Sequence, residues 1–171
     1  LARAEHTDFF LHSEGAANTP AGDGSLSMDE PGGETPDGYA YDPRDPVMSV
    51  MDIDAQPMPR NQRPLDGRQD VLVYETDVFD SPARFVGPVV LELWAASDAV
   101  DTDWTAKLVD VSPTGYAVNL CDGILRARYR DSLTEPSLLE PGKIYAYTID
   151  TGVTGNVFRK GHCIRLEISS S

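Results

Sequence analysis

The stretch from Asp101 to Arg130, DTDWTAKLVDVSPTGYAVNLCDGILRARYR, decides the fold class of this chain. Every second residue from Trp104 to Leu108 is apolar, which is the alternation of a strand with one buried face. The four residues Ser112-Pro113-Thr114-Gly115 then predict a type I turn, because proline occupies its second position and glycine its fourth. Apolar alternation resumes from Tyr116 to Leu120, so the two segments predict a β-hairpin.

Two further signals follow the hairpin. Asp122-Gly123 is a common turn dipeptide and predicts an interruption of the second strand. After it, Leu125, Ala127 and Tyr129 alternate with three arginines, which predicts a strand with one solvent-exposed face. The arginine row consists of Arg126, Arg128 and Arg130. We expect it either to pair with neighbouring acids or to meet acidic groups of another domain.

Strand patterns fill the rest of the second half, residues 70–171, and the segment 13–69 is a long irregular loop region. In the last strand pattern, Cys163–Ile168, apolar residues alternate with Arg165 and Glu167, which predicts one dry and one wet face. No helical period is sustained. We therefore predict an all-β, antiparallel β-sandwich of the jelly-roll type, with residues 1–171 as a single domain. The other predicted strands are Thr7–His12, Val71–Tyr74, Val89–Ala96 and Ile144–Ile149, with short strand-like fragments at Ser25–Met28 and Tyr39–Tyr41.

Charge and apolar content limit the partners. With 28 acidic and 14 basic side chains, the formal net charge of -14 repels nucleic acid and anionic membrane surfaces. No apolar run approaches the roughly 20 residues that span a bilayer, so a membrane is not a predicted partner. Because no secretory signal is visible and two cysteines do not make a disulfide framework, a cytoplasmic location is favoured. Cys121 and Cys163 are expected to be two small buried thiols, with a single disulfide as the open alternative.

Motifs for catalysis are missing from the sequence. The G-x-S-x-G element of α/β hydrolases does not occur, and the near match at Gly24–Ser27 lacks its second glycine. The three histidines His6, His12 and His162 are expected to be surface or capping residues. No zinc-binding spacing is present. The sequence therefore predicts no catalytic residue and no cofactor in this chain.

Two weaker patterns suggest a binding module as the rival hypothesis. Asp98, Asp101 and Asp103 surround a strand entry and are weak candidates for a calcium site, although aspartates also cap such loops. Trp94, Trp104 and Tyr129 could form a stacking platform for sugars, or could instead fill the core. A stand-alone carbohydrate- or calcium-binding β-sandwich is the alternative that these residues leave open.

Three segments together resemble a known family. Val86–Trp94, Asp101–Val111 and Asp122–Arg130 are similar to the C-terminal domain of the cocaine esterase and X-Pro dipeptidyl-peptidase-like serine hydrolases. The resemblance implies a galactose-binding-domain-like jelly roll that is itself non-catalytic. It also implies partners within a parent chain, an α/β-hydrolase domain and a helical cap. The parent would act on esters or X-Pro peptides through an acyl-enzyme, with its Ser-Asp-His triad in the α/β domain.

The same resemblance places a loop of this chain at the mouth of the active site. The residues concerned, which would line the substrate pocket, are Val47, Met48, Ser49, Val50 and Met51. The loop departs from the family, because Met51–Asp54 stands where a Gly-Gly pair is usual. The family also continues beyond the Ser-Ser-Ser element that ends at Ser171. We therefore expect a sandwich that lacks its last strand or strands, with an exposed edge that allows a homo-oligomer.

Overall fold

The part of the chain that the structure describes contains eight β-strands and two short 3-10 turns, joined by loops. The structure is a computed structural model, and it describes residues 4–48 and 61–171. No α-helix occurs within these residues, and none of them forms a helix that could cross a bilayer. The 3-10 turns are Arg63–Leu65 and Ala127–Tyr129. The strands are β1 Phe10–His12, β2 Ser25–Ser27, β3 Val71–Glu75, β4 Ala83–Ala95, β5 Asp103–Val111, β6 Ala117–Arg126, β7 Tyr145–Phe158 and β8 Cys163–Ser169.

The strands form two sheets that pack as a sandwich. The larger has six strands in the order β1-β2-β3-β8-β5-β6, and the smaller pairs β4 with β7. All pairs are antiparallel except β2 with β3, which meet in parallel at Ser25 and Glu75. The predicted all-β sandwich is confirmed.

An apolar core lies between the sheets. Phe158 on β7 is fully buried, and its ring lies 5.5 Å from that of Phe85 on β4 and 5.7 Å from that of Phe79. The larger sheet contributes residues at alternate positions, as the pleat requires. They include Leu72, Tyr74, Trp104, Ala106, Ile164, Leu166 and Ile168.

The prediction of a wet face on the last strand is wrong, because all seven residues of β8 are buried. The strand lies between β3 and β5, and residues 45–48 and 61–69 cover the face of the sheet that points away from the core. Arg165 is buried on that side with Glu75 at 2.7 Å and Asp66 at 2.9 Å from its guanidinium. The alternation in β8 therefore separates an apolar side that faces the core from a charged side that forms a buried ion-pair network.

The predicted turn at Asp122-Gly123 is also absent, since β6 runs through both residues. Gly123 serves a close approach instead: a Cβ at this position would overlap the carbonyl oxygen of Asp150 on β7. The strand then ends at Arg126, four residues earlier than predicted, and the chain enters the 3-10 turn. The three arginines therefore do not share one strand face.

Other strand boundaries differ as well. Strand β4 begins at Ala83 and passes through Gly87-Pro88. Gly87 has a φ of 140°, a backbone conformation that residues with a side chain rarely adopt. Strand β7 continues to Phe158, and Tyr39–Tyr41 is not a strand. Tyr39 is nevertheless ordered against the core, with its ring 6.3 Å from that of Trp104.

Candidate functional site

A pocket of about 370 Å³ opens beside β5 and β6. Val47 and Met48, two of the five residues predicted to line a substrate pocket, lie in its wall. Val47 is buried against Val71 and Val73, whereas Met48 is 67 % exposed. The predicted residues Ser49, Val50 and Met51 lie outside the described residues. Among the described residues, the pocket is lined by Pro46, Val47, Met48, Thr105, Lys107, Asp122, Gly123, Ile124 and Ser171.

Lys107 gives this pocket a buried cationic group. It lies directly across from Glu167 in the β5–β8 ladder, and the two side chains are only 5 % and 4 % exposed. Burial lowers the pKa of Lys107 and raises the pKa of Glu167. The ammonium has no hydrogen-bond partner among the described residues. An acceptor group that entered the pocket could therefore bind Lys107.

Two of the three candidate calcium ligands, Asp101 and Asp103, pair with arginines. Asp103 lies 3.0 Å from Arg126, and Asp101 lies 3.6 Å from Arg126 and 3.5 Å from Arg128. Asp101 also accepts a hydrogen bond from the backbone N–H of Arg128. Asp98 lies in the loop before β5. Within residues 4–48 and 61–171, no group of three or more potential ligands could hold a metal ion.

The arginine row is thus used within the chain. Arg126 and Arg128 make the three pairs with Asp101 and Asp103. Arg130 stacks 4.2 Å from the centre of the Tyr145 ring and donates to the carbonyl of Ser137 at 2.7 Å. Of the two readings from the sequence, pairing with neighbouring groups is the one confirmed.

The three aromatic residues do not form a platform. Trp104 is buried, with its ring 5.8 Å from that of Tyr147 on β7. Trp94, by contrast, is 67 % exposed on the outer face of β4. Tyr129 is half-buried in the second 3-10 turn. Trp104 belongs to the core, and Trp94 belongs to a different surface.

That surface is the outer face of the two-stranded sheet, where exposed apolar residues stand beside charged ones such as Arg84, Glu92 and Asp150. Alternation along β4 and β7 directs one set of residues into the core and the other set outward. The outward set includes five large apolar residues that are exposed in the described chain. They are Val86, Val90, Trp94, Val153 and Val157, and we call them the β4–β7 face.

All three histidines lie beside a carboxylate: His6 is exposed with Asp8 at 3.1 Å, whereas the pairs of His12 and His162 are largely buried and join residues far apart in sequence. His12 Nδ1 lies 2.7 Å from Glu34 Oε1, and its Nε2 lies 3.0 Å from Ser27 Oγ. His162 Nδ1 lies 2.7 Å from Asp110 Oδ1. The prediction of surface or capping histidines missed these pairs. Glu34 is 22 residues from His12, and no local spacing links them.

Both cysteines are free thiols, as expected from the sequence. Cys163 is buried at the start of β8, and burial raises its pKa to about 11. Cys121 lies 3.4 Å from the hydroxyl of Thr151, and burial raises its pKa as well. Neither thiol has the lowered pKa of a reactive cysteine.

Comparison with known families identifies the chain. The family described as the X-Pro dipeptidyl-peptidase C-terminal non-catalytic domain matches residues 1–171. The chain belongs to this family. X-Pro dipeptidyl-peptidase C-terminal domains are non-catalytic by that description, which agrees with the lack of a hydrolase motif in the sequence.

Relatives of this X-Pro dipeptidyl-peptidase C-terminal domain occur within longer hydrolases. Cocaine esterase of Rhodococcus sp. (strain MB1 Bresler) is 48 % identical over 175 residues, which cover 100 % of this chain and 30 % of the esterase. The chain therefore spans less than a third of this relative.

Solved structures agree with that assignment. An aminopeptidase from a marine sediment Thaumarchaeota archaeon superposes with a TM-score of 0.79 at 29 % identity, over 94 % of this chain and 29 % of the aminopeptidase. An alpha-amino acid ester hydrolase superposes with a TM-score of 0.73 at 26 % identity, over 93 % of this chain and 29 % of the hydrolase.

Proposed function

We propose that this domain is the accessory C-terminal part of a serine hydrolase that acts on esters or X-Pro peptides through an acyl-enzyme. In this proposal the domain braces the α/β-hydrolase and cap domains of its parent chain and helps to wall the substrate pocket. Residues 1–171 form one domain in this arrangement. The relatives support the reaction class, because their names describe an esterase, an aminopeptidase and an ester hydrolase.

The β4–β7 face is the observation that carries the bracing role. Val86, Val90, Trp94, Val153 and Val157 are exposed together on one side of a two-stranded sheet. Large apolar residues that are exposed on one face of a soluble protein commonly mark an interaction site. A domain that packs against others in its parent chain needs such a face, and burying Trp94 there would remove the largest exposed aromatic side chain of the described residues from water.

Met48 supports the walling role. Its side chain is exposed at the rim of the pocket beside β5, while its neighbour Val47 anchors the segment in the cluster with Val71 and Val73. Methionine is flexible and apolar, so it can adapt to an acyl or aromatic group. Because Val47 is anchored and Met48 is exposed, this segment is suited to contact a substrate that is held mainly by another domain.

Substitutions in the intact parent protein test both roles. Trp94→Asp places a charge on the β4–β7 face, and we expect a lower melting temperature and a lower kcat/KM because the domain no longer packs firmly. Leu133→Asp is the control, since Leu133 is 82 % exposed in the loop before β7 and lies outside that face. Equal behaviour of the two variants would contradict bracing.

For walling, Met48→Ser is expected to raise KM for esters with bulky acyl groups and to leave the melting temperature unchanged. Met28→Ser is a matched control, because Met28 is 68 % exposed and is remote in sequence from the pocket lining. A KM that is the same in both variants for every acyl group tested would refute the contact with substrate.

A further inference from the structure

Glu34, His12 and Ser27 form a hydrogen-bonded series that we call the Ser27 relay. Glu34 Oε1 lies 2.7 Å from His12 Nδ1, and His12 Nε2 lies 3.0 Å from Ser27 Oγ. Carboxylate, imidazole and hydroxyl follow one another in the order that activates serine in hydrolases. None of the three residues belongs to the pocket beside β5, so the relay is separate from the proposed pocket wall.

Strand pairing brings the relay together. In the β1–β2 ladder, Leu11 pairs with Leu26, and both leucines pack into the core. Because side chains alternate along a strand, His12 and Ser27 lie on the opposite, outer face of this edge hairpin. Glu34 reaches the same place from the loop after β2, and its second carboxylate oxygen accepts a hydrogen bond from the backbone N–H of Ser13 at 3.2 Å. Two bonds therefore fix the carboxylate.

The hydrogen-bond directions favour an activated hydroxyl. When Nδ1–H of the neutral His12 imidazole donates a hydrogen bond to Glu34, Nε2 carries no proton and can accept one. Ser27 Oγ accepts from the backbone N–H of Asp29 at 3.1 Å, which directs its own hydrogen towards Nε2. The bond from His12 lowers the pKa of Glu34, so the carboxylate stays ionised to hold the ring. His12 is placed to act as a general base for Ser27.

The relay is also within reach of small molecules. Ser27 is half-buried, and the side chains of His12 and Glu34 are 17 % and 26 % exposed. A neighbouring serine, Ser25, lies on the same strand and the same outer face, directly opposite His12, but makes no hydrogen bond to it among the described residues. The strand thus contains one serine within the relay and one outside it.

From this geometry we propose that Ser27 is an acyl acceptor for reactive esters, distinct from the hydrolase nucleophile of the parent. Ser27 Oγ attacks the acyl carbon and its proton passes to His12 Nε2. The bond from the acyl carbon to the leaving oxygen breaks, and that oxygen takes the proton from Nε2. The products are acyl-Ser27 and a free alcohol or phenol. The step is stoichiometric, which is compatible with a domain described as non-catalytic.

The test uses p-nitrophenyl acetate with the intact protein, and peptide mass spectrometry to find the acetylated residue. We expect an acetyl group on the peptide that contains Ser27, with at most one acetyl group gained at that residue per chain. A nucleophile elsewhere in the parent chain would carry its label on another peptide. Ser27→Ala should lose this label, and Ser25→Ala should keep it.

His12→Gln should slow labelling of Ser27 by about 10²–10⁴-fold, the usual effect of a general base. Glu34 is a positioning residue, and Glu34→Gln should slow labelling less while moving the proton NMR resonance of His12 Nδ1–H upfield. If the His12→Gln variant shows no cooperative melting transition, the labelling rate of Glu34→Gln relative to the unaltered protein tests the proposal instead. Labelling that is equal at Ser25 and Ser27, or that is unchanged in these variants, would overturn the proposal and leave the relay as a structural clamp.

Discussion

Replacing Arg165 with methionine tests the buried ion-pair network of the larger sheet. The guanidinium side chain is 6 % exposed, and it lies 2.7 Å from Glu75, 2.9 Å from Asp66 and 3.5 Å from Glu167. Glu75 and Asp66 are about one-third exposed and can be hydrated when the arginine is removed. Glu167 is buried and cannot. Removing one partner of a buried ion pair costs about 3–5 kcal/mol, and Arg165→Met should lower the free energy of unfolding by up to that amount, since Lys107 still faces Glu167.

The loss should depend on pH. Burial raises the pKa of Glu167 above its usual 4.5, and Lys107 and Arg165 both oppose that rise, so the pKa should be higher still when Arg165 is removed. A carboxyl whose pKa is raised by folding contributes stability below its unfolded pKa and loses it as pH rises through the folded pKa. The deficit of Arg165→Met relative to the unaltered chain should therefore be smaller at about pH 5 than at about pH 8.

Urea unfolding followed by circular dichroism measures both effects. Arg44→Met is the control, because the Arg44–Asp42 pair has a similar 2.8 Å distance but is exposed, and we expect no measurable change in stability from its loss. A loss below about 1 kcal/mol for Arg165→Met, or a loss independent of pH, would refute a dominant role for the buried Glu167 charge.

Two further outcomes are expected. Gly123→Ala should destabilise the chain by about 1–3 kcal/mol in the same unfolding assay, because its Cβ would overlap the carbonyl oxygen of Asp150. Gly67→Ala is the control, since a Cβ at that position would lie in open space and should cost no stability. Equal stabilities of the two variants would contradict the close approach of β6 to β7. Burial raises the pKa of Cys163 from 9.0 to about 11, so its thiol should react with a disulfide reagent about 100-fold more slowly than an ordinary thiol. Unfolding the chain in urea should remove this protection. Fast reaction in the folded state would show that the thiol is exposed.

Local alternation predicted where strands lie but not what covers their faces. The pattern around Trp104 correctly placed β5, whose residues Trp104 and Ala106 lie in the core between the sheets. The same kind of pattern in β8 was misread, because Arg165 and Glu167 would look identical on a wet face. Their burial depends on Asp66 and Glu75, which are 99 and 90 residues away from Arg165 in sequence. Pairing at such separations leaves no trace in a local period.

Single-residue signals failed for a related reason. Glycine at position 123 follows an aspartate, which is the usual composition of a tight turn. Glycine is also required where two backbones approach closely, and here Asp150 of β7 imposes that need. The Ser27 relay shows the same limit, since His12 and Ser27 meet through the β1–β2 register and Glu34 joins them from a loop.

The two outer faces of the sandwich differ in a way that bears on the proposed function. The outer face of the larger sheet contains buried charges that are costly to desolvate, yet residues of this chain cover it with ion pairs and the cluster of Val47, Val71 and Val73. The outer face of the smaller sheet is rich in valine and contains Trp94, yet the described chain leaves it exposed. If only the stability of this domain mattered, the chain would cover the valine-rich outer face of the smaller sheet and leave the charged outer face of the larger sheet in water. The arrangement is better explained when the β4–β7 face packs against other domains of the parent chain.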